Sequence, residues 1–134
     1  MKTILVDAVY TFVSDEGVIF QEMFDLLEKY SNKKIILTNA SHDKFEQYSL
    51  NKMPYEVFTL EHNPDKIDPK YFELMSAYFG FDAKDVIYFE NNEDAVKSAE
   101  SVGIKTYHYD KDKKDLSNLK MFLDDNLNQS NSQQ

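Results

Sequence analysis

Short apolar runs alternate with amphipathic segments along this chain. Five runs are rich in Val, Ile, Leu, Phe and Tyr, as expected of buried strands, and they cover residues 2–9, 34–38, 55–60, 85–89 and 105–109. Between and after them, apolar residues recur at helical spacing, and the predicted helices cover 17–30, 41–50, 69–79, 92–102 and 115–127. Such alternation is typical of right-handed β-α-β units. It predicts a three-layer α/β fold, in which helices cover both faces of a five-stranded, mainly parallel sheet.

The length and composition fit one globular domain. The chain has 134 residues, of which 42% are hydrophobic, including nine Tyr and ten Phe. That content supplies enough bulky side chains for the core of a single domain over residues 1–127. Residues 128–134 are polar, and we expect them to form a disordered tail.

The charge pattern limits the partners of this protein. All fifteen basic residues are Lys, and the formal net charge is −9. Because polyanions need a positive protein face, this charge argues against nucleic-acid and anionic-membrane partners. The chain has no Cys, and no apolar run approaches the ~20 residues that span a bilayer. We therefore expect a soluble, cytoplasmic protein that binds anions through Lys, backbone N–H groups and hydroxyls.

A single carboxylate, Asp7, lies at the end of the first apolar run. Ligands bind at the carboxyl ends of the strands in open parallel sheets, so this position is suited to chemistry. A carboxylate can attack a phosphoryl group and form an acyl phosphate that water then cleaves. An Asp after a strand also commonly caps a helix or a turn, and the residue alone does not decide between the two roles.

Further polar residues stand where a phosphate-handling site would need them. They are Thr38 and Asn39 after the second strand, Lys66 ahead of the third predicted helix, and Glu90, Asn91 and Asp94 after the fourth strand. Each also has a simpler interpretation. Thr38 and Asn39 can cap the next helix, Lys66 can be a solvated surface charge, and the acidic loop can complement a helix dipole.

Taken in order, four segments resemble the motifs of the haloacid dehalogenase (HAD) superfamily, whose members mostly hydrolyse phosphate esters through an aspartyl phosphate. The segments are Asp7-Ala8-Val9-Tyr10-Thr11, Ile35-Ile36-Leu37-Thr38-Asn39, Lys66-Ile67-Asp68-Pro69 and Glu90-Asn91-Asn92-Glu93-Asp94. The resemblance covers most of residues 1–109 and leaves no room for a cap domain. It implies a HAD-like core in which strand one lies between strands two and four.

The resemblance also implies roles for individual residues. The catalytic residues would be Asp7, Thr38 and Lys66. A phosphorylated substrate would contact Thr11, Thr38, Asn39 and Lys66. The cofactor would be Mg²⁺, with candidate ligands at Asp7, the Val9 carbonyl, Glu90, Asn91 and Asp94. Which of the last three contacts the metal stays open.

Two positions depart from the hydrolytic pattern. Val9 stands where the family has a second Asp, which protonates the leaving alcohol and activates water, a role worth ~10²–10⁴ in rate. Asn91 stands where the family has a metal-binding carboxylate, the ligand type that Mg²⁺ prefers. We therefore expect weak metal binding and poor turnover of ordinary phosphate esters.

Three functional hypotheses follow from the sequence. The leading one is a weak or atypical Mg²⁺-dependent phosphatase that acts through Asp7. The second is a catalytically impaired HAD-like module that binds a phosphorylated ligand or a protein partner. The third, a receiver-type signalling domain, is disfavoured because Leu60-Glu61-His62 replaces the phospho-acceptor Asp after the third strand. A site without a cap implies either a bulky substrate or closure by another subunit, so an oligomer is also open.

Overall fold

A computed structural model describes residues 1–127. Its strands are β1 (Thr3–Asp7), β2 (Lys34–Thr38), β3 (Glu56–Thr59), β4 (Val86–Glu90) and β5 (Lys105–His108). They form one sheet in the order β3-β2-β1-β4-β5, and every neighbouring pair is parallel. The predicted five-stranded sheet is confirmed, with β1 at its centre between β2 and β4.

In the described part of the chain, four α-helices cover the sheet: α1 (Gln21–Leu27), α2 (Lys70–Phe79), α3 (Glu93–Ser101) and α4 (Leu116–Leu127). Successive residues of β1 point to opposite faces, as the two-residue period of a strand requires. Ile4 and Val6 pack in one core with side chains of α1 and α4, whereas Leu5 packs in a second core with side chains of α2 and α3. Because both faces are covered, the predicted three-layer arrangement is also confirmed.

The segment 41–50 does not form the predicted α-helix. Two short 3₁₀ turns, His42–Lys44 and Leu50–Lys52, lie there instead. Ser49 adopts a left-handed conformation with a φ of 56°, which interrupts helical hydrogen bonding. Gly17 packs so closely against this segment that a Cβ on it would lie 2.9 Å from the Gln47 carbonyl oxygen. The tertiary contact therefore overrides the local helical pattern.

The first helix is also shorter than predicted, because the chain after β1 makes a tight turn and a small bridged loop. Phe12 N–H donates to the Ala8 carbonyl at 2.8 Å, and Val13 forms β-bridges with Val9 and Ile19. Because of these contacts, residues 17–20 are not helical, and α1 begins at Gln21. They also fold the residues that follow Asp7 back over the edge of the sheet.

Within residues 1–127, each link between consecutive strands holds at most one α-helix, and no cap domain is inserted. No helix of this part of the chain combines the length and the apolarity that a membrane crossing requires. The expected disordered tail at 128–134 lies outside the described residues.

Candidate phosphoryl site

The candidate residues meet because three neighbouring strands end at the same edge of the sheet. Asp7 is the last residue of β1, Thr38 the last of β2 and Glu90 the last of β4. Lys66 reaches the same place from the loop before α2, and its backbone N–H donates to Asn39 Oδ1 at 2.8 Å. The structure thus brings these five residues, all of them candidates from the sequence analysis, to one place.

A buried ion cluster lies at the centre of this edge. Lys66 Nζ lies 2.7 Å from Asp7 Oδ1 and 3.0 Å from Glu90 Oε1. Asp7 and Lys66 are each 4% exposed, and Glu90 is 2% exposed. Lys66 is therefore not the solvated surface charge of the simpler interpretation, because its ammonium group is the buried counter-ion of two carboxylates.

The proximity of these groups separates the pKa values of the two carboxylic acids. Burial alone would raise the pKa of Asp7, but the Lys66 charge and hydrogen bonds to the carboxylate hold it below its usual range. Burial and the neighbouring Asp7 charge raise the pKa of Glu90 to about 7. Burial would lower the pKa of Lys66, yet the two carboxylates raise it above its usual value. Asp7 is thus ionised and Lys66 protonated at neutral pH.

The two oxygens of Asp7 differ in how many donors they accept. Oδ2 accepts from Thr11 Oγ1 at 2.7 Å, from the Asn91 backbone N–H at 3.2 Å and from Asn91 Nδ2 at 2.5 Å. Oδ1 accepts from Lys66 Nζ. Since a carboxylate oxygen offers about two lone pairs, Oδ2 is fully engaged, whereas Oδ1 retains one that can attack an electrophile.

The side-chain amide of Asn91 lies among the atoms that the sequence analysis proposed as metal ligands. Besides Asp7 Oδ2, its Nδ2 lies 3.2 Å from the Val9 carbonyl oxygen and 3.2 Å from Thr11 Oγ1. In this orientation the NH₂ group of Asn91 donates to oxygens that a cation would need, so it competes with a cation for them. Across residues 1–127, no group of three or more His, Cys, Asp or Glu side chains could hold a metal ion. With the NH₂ group of Asn91 donating to Asp7 Oδ2 and near the Val9 carbonyl, these residues do not fit a Mg²⁺ site.

Asp94 lies apart from the other candidates. Its backbone N–H donates to Asn92 Oδ1, which caps the start of α3, and its exposed side chain lines a different cavity with Pro69 and Lys97. The structure does not bring Asp94 to Asp7, because the first turn of α3 carries it past the edge of the sheet. Asp94 therefore lies in the first turn of α3, where an acidic side chain complements the helix dipole, as in the simpler interpretation of the acidic loop.

A cavity of about 250 Å³ opens over the cluster. Its lining includes Asp7, Thr38, Asn39, Lys66, Glu90 and Asn91. The Thr38 hydroxyl accepts from Ala40 N–H at 3.1 Å, and this leaves its own proton available for an acceptor in the cavity. The cavity thus offers an ammonium group and a hydroxyl beside an ionised carboxylate, a set suited to a phosphoryl group.

Sequence reasoning missed two tyrosines that support the cluster. The Tyr88 hydroxyl donates to Glu90 Oε1. The Tyr71 hydroxyl donates to the Thr38 carbonyl at 2.9 Å. Tyr88 could have been found from the two-residue period of β4, which places it on the same face as Glu90. Tyr71 carries no such signal, because its partner comes from a different part of the chain.

No family model matches this chain, and no curated protein matches it in sequence. Solved structures do match its fold. One is a HAD-family enzyme of Bacteroides thetaiotaomicron in complex with magnesium and inorganic phosphate. Its TM-score is 0.71 at 14% identity, and the match covers 89% of this chain and 98% of that one.

Two further structures give the same result. A HAD-superfamily hydrolase of subfamily IA from Geobacter sulfurreducens matches with a TM-score of 0.64 at 11% identity, over 81% of this chain and 87% of that one. A conserved haloacid dehalogenase-like protein of unknown function from Agrobacterium tumefaciens matches with a TM-score of 0.62 at 13% identity. The match covers 81% of this chain and 82% of that one. These similarities establish a HAD-like fold.

Proposed function

We propose that this protein is a HAD-like phosphohydrolase of low turnover that forms an acyl phosphate on Asp7. The observation that carries the proposal is the environment of Asp7 Oδ1, which lies 2.7 Å from the buried Lys66 ammonium group, with both residues lining a polar cavity. An ionised carboxylate with a free lone pair is a nucleophile, and a neighbouring cation offsets the charge of an incoming phosphoryl group.

In the first step, Asp7 Oδ1 forms a bond to phosphorus while the bond between phosphorus and the leaving oxygen breaks. The electron pair of that bond stays on the leaving oxygen. Lys66 and the Thr38 hydroxyl stabilise the negative charge on the phosphoryl oxygens during transfer. In the second step, water attacks phosphorus, releases orthophosphate and restores the Asp7 carboxylate.

Val9 limits both steps. Its side chain can neither protonate the leaving oxygen nor take a proton from water, so the leaving group must depart as an anion or receive its proton from solvent. Aryl and acyl phosphates, whose leaving groups are stable anions, are therefore the favoured class of substrate. Hydrolysis of the acyl phosphate is also slow, and the intermediate accumulates.

Magnesium takes no part in this mechanism. The similar enzyme from Bacteroides thetaiotaomicron was crystallised with magnesium and phosphate. Here the Asn91 amide donates to Asp7 and to the Val9 carbonyl, the oxygens that a cation would need. The steps above therefore depend only on side chains of this protein.

A module that binds a phosphorylated ligand without turnover is the second candidate. The specific observation in its favour is that three donors engage Asp7 Oδ2, an arrangement that holds the carboxylate in place and lowers its basicity. The receiver-type alternative is not supported, because receiver domains have the strand order 2-1-3-4-5, whereas β1 here lies between β2 and β4.

Turnover of a panel of phosphate esters, with nitrophenyl phosphate and an acyl phosphate among them, tests the proposal. We expect slow release of orthophosphate from these two substrates and loss of the activity in Asp7→Asn. Asp94→Asn is the matched control, because it makes the same exchange outside the cavity and should retain activity. If every ester is inert but the protein binds orthophosphate, the binding module is the correct account.

A further inference from the structure

We infer that the Asn91 carboxamide takes the place of a divalent cation beside Asp7, so that the phosphoryl site works without metal. This inference rests on the proposed phosphoryl site and goes beyond it, because it assigns the charge-neutralising role of a divalent cation to a residue of this chain. The amide Nδ2 contacts three oxygens at once: Asp7 Oδ2, the Val9 carbonyl and Thr11 Oγ1.

The orientation of the amide follows from the chemistry of its neighbours. A carboxylate oxygen and a backbone carbonyl oxygen can only accept hydrogen bonds. If the amide were rotated by half a turn, its own carbonyl oxygen would face both of these acceptors without a proton between them. Only the NH₂ group satisfies them, so the donor end of Asn91 must point toward Asp7.

The backbone fixes Asn91 in this position from two sides. Its N–H donates to Asp7 Oδ2 at 3.2 Å, and its carbonyl oxygen lies 3.0 Å from His108 Nε2. Asn92, the next residue, caps α3 by accepting from Asp94 N–H. These contacts hold the backbone of Asn91 between the end of β4 and the start of α3, in a place from which its side chain reaches Asp7 Oδ2.

Asn91, in place of a carboxylate, also changes the charge of the site. A carboxylate at position 91 would place a second anionic oxygen close to Asp7 Oδ2, an arrangement that is stable only with a cation between them. The neutral amide removes that repulsion and supplies the positive end of an N–H dipole instead. The protein thus gains the neutralising contact of the cation but not its double charge, and Lys66 is the positive charge that faces Asp7.

The test compares the wild-type protein with Asn91→Asp, with Asp94→Asn as the control. Calorimetry measures Mg²⁺ binding to each, and a second titration measures orthophosphate binding in EDTA and in excess Mg²⁺. We expect the wild type to bind orthophosphate equally under both conditions. We expect Asn91→Asp to bind Mg²⁺ about ten- to hundredfold more tightly than the wild type and to need Mg²⁺ for orthophosphate binding. Asp94→Asn should behave like the wild type.

The inference is overturned if the wild type binds Mg²⁺ as tightly as Asn91→Asp, or if its orthophosphate binding requires Mg²⁺. Should Asn91→Asp fail to fold, Asn91→Ala removes the donor without adding charge. We expect Asn91→Ala to bind orthophosphate in EDTA about tenfold more weakly, and unchanged binding would contradict the inference. If the wild type binds no orthophosphate under either condition, the proposed function fails, whereas the Mg²⁺ titrations still decide whether Asn91 keeps the cation out.

Discussion

Replacement of Lys66 by Met tests the buried ion cluster. Met has nearly the length of Lys and is apolar, so Lys66→Met fills the same space but removes the positive charge that contacts both Asp7 and Glu90. The side chain of Lys66 is almost fully buried, and its ammonium group contacts both carboxylates. Two buried carboxylates would then remain near each other without a counter-ion.

The burial of these groups sets the size of the expected decrease in the free energy of unfolding. Breaking a buried ion pair by removal of one partner costs about 3–5 kcal/mol, because the remaining charge is neither solvated nor compensated. A domain of this size has a free energy of unfolding of about 5–15 kcal/mol. Lys66→Met should therefore remain folded but lose a large fraction of its stability. With a urea m-value of about 2 kcal/mol/M, the midpoint should fall by roughly 1.5–2.5 M.

The loss of stability in Lys66→Met should be larger at pH 8 than at pH 5. In the wild type, the pKa of Asp7 lies below its usual range, so this residue stabilises the fold above the unfolded pKa, and the contribution is lost in acid. In Lys66→Met, burial without a cation raises the pKa of both carboxylic acids, so lowering the pH from 8 to 5 neutralises them and stabilises the variant. The difference in the free energy of unfolding between the wild type and Lys66→Met should therefore be smaller at pH 5 than at pH 8.

Urea denaturation at pH 8 and pH 5, followed by circular dichroism, measures both effects. Lys70→Met is the matched control, because Lys70 is exposed at the start of α2 and its replacement should change stability by less than about 0.5 kcal/mol. A free energy of unfolding of Lys66→Met within about 1 kcal/mol of the wild-type value at pH 8 would contradict a stabilising ion cluster. A difference in this free energy that grows as the pH falls would contradict it as well.

Three further predictions follow from the same contacts. The pKa of Glu90 is about 7 when folded and 4.5 ordinarily, so the free energy of unfolding should fall as the pH rises between these values, and Glu90→Gln should flatten this slope in urea titrations. Val9→Asp supplies the missing acid and should raise turnover of alkyl phosphates more than that of nitrophenyl phosphate, by up to ~10²–10⁴; equal gains would contradict the proposed role. Tyr71→Phe leaves the buried Thr38 carbonyl without this donor and should cost about 1 kcal/mol in thermal or urea unfolding, whereas an unchanged midpoint would mean that this hydrogen bond contributes nothing net.

The sheet and the convergence of its strand ends could be predicted, because both follow from patterns along the sequence. A buried parallel strand is a continuous apolar run, and β2 has the predicted bounds of 34–38. Parallel strands bring their carboxyl ends to one edge, so polar residues that follow the runs meet there. Asp7, Thr38 and Glu90 were found in this way.

The parts that could not be predicted depend on contacts between distant segments. The missing helix at 41–50 reflects the approach of Gly17 to the Gln47 carbonyl, which no local pattern encodes. The engagement of Asn91 with the Val9 carbonyl joins residues that are 82 positions apart. Asp94 looked equivalent to Glu90 in sequence, yet the helical turn after Asn92 separates the two in space.

Detection of an acyl phosphate on Asp7 would show whether this protein transfers a phosphoryl group to its own carboxylate. The protein is mixed with excess nitrophenyl phosphate, quenched in acid, and analysed by intact-mass and peptide mass spectrometry while nitrophenolate release is followed. Because Val9 cannot activate water, the account predicts a burst of nitrophenolate, slow turnover afterwards, and one phosphoryl group on the peptide that contains Asp7, with neither burst nor adduct in Asp7→Asn. Turnover without a burst or an adduct, or an equal adduct in Asp7→Asn, would contradict the account.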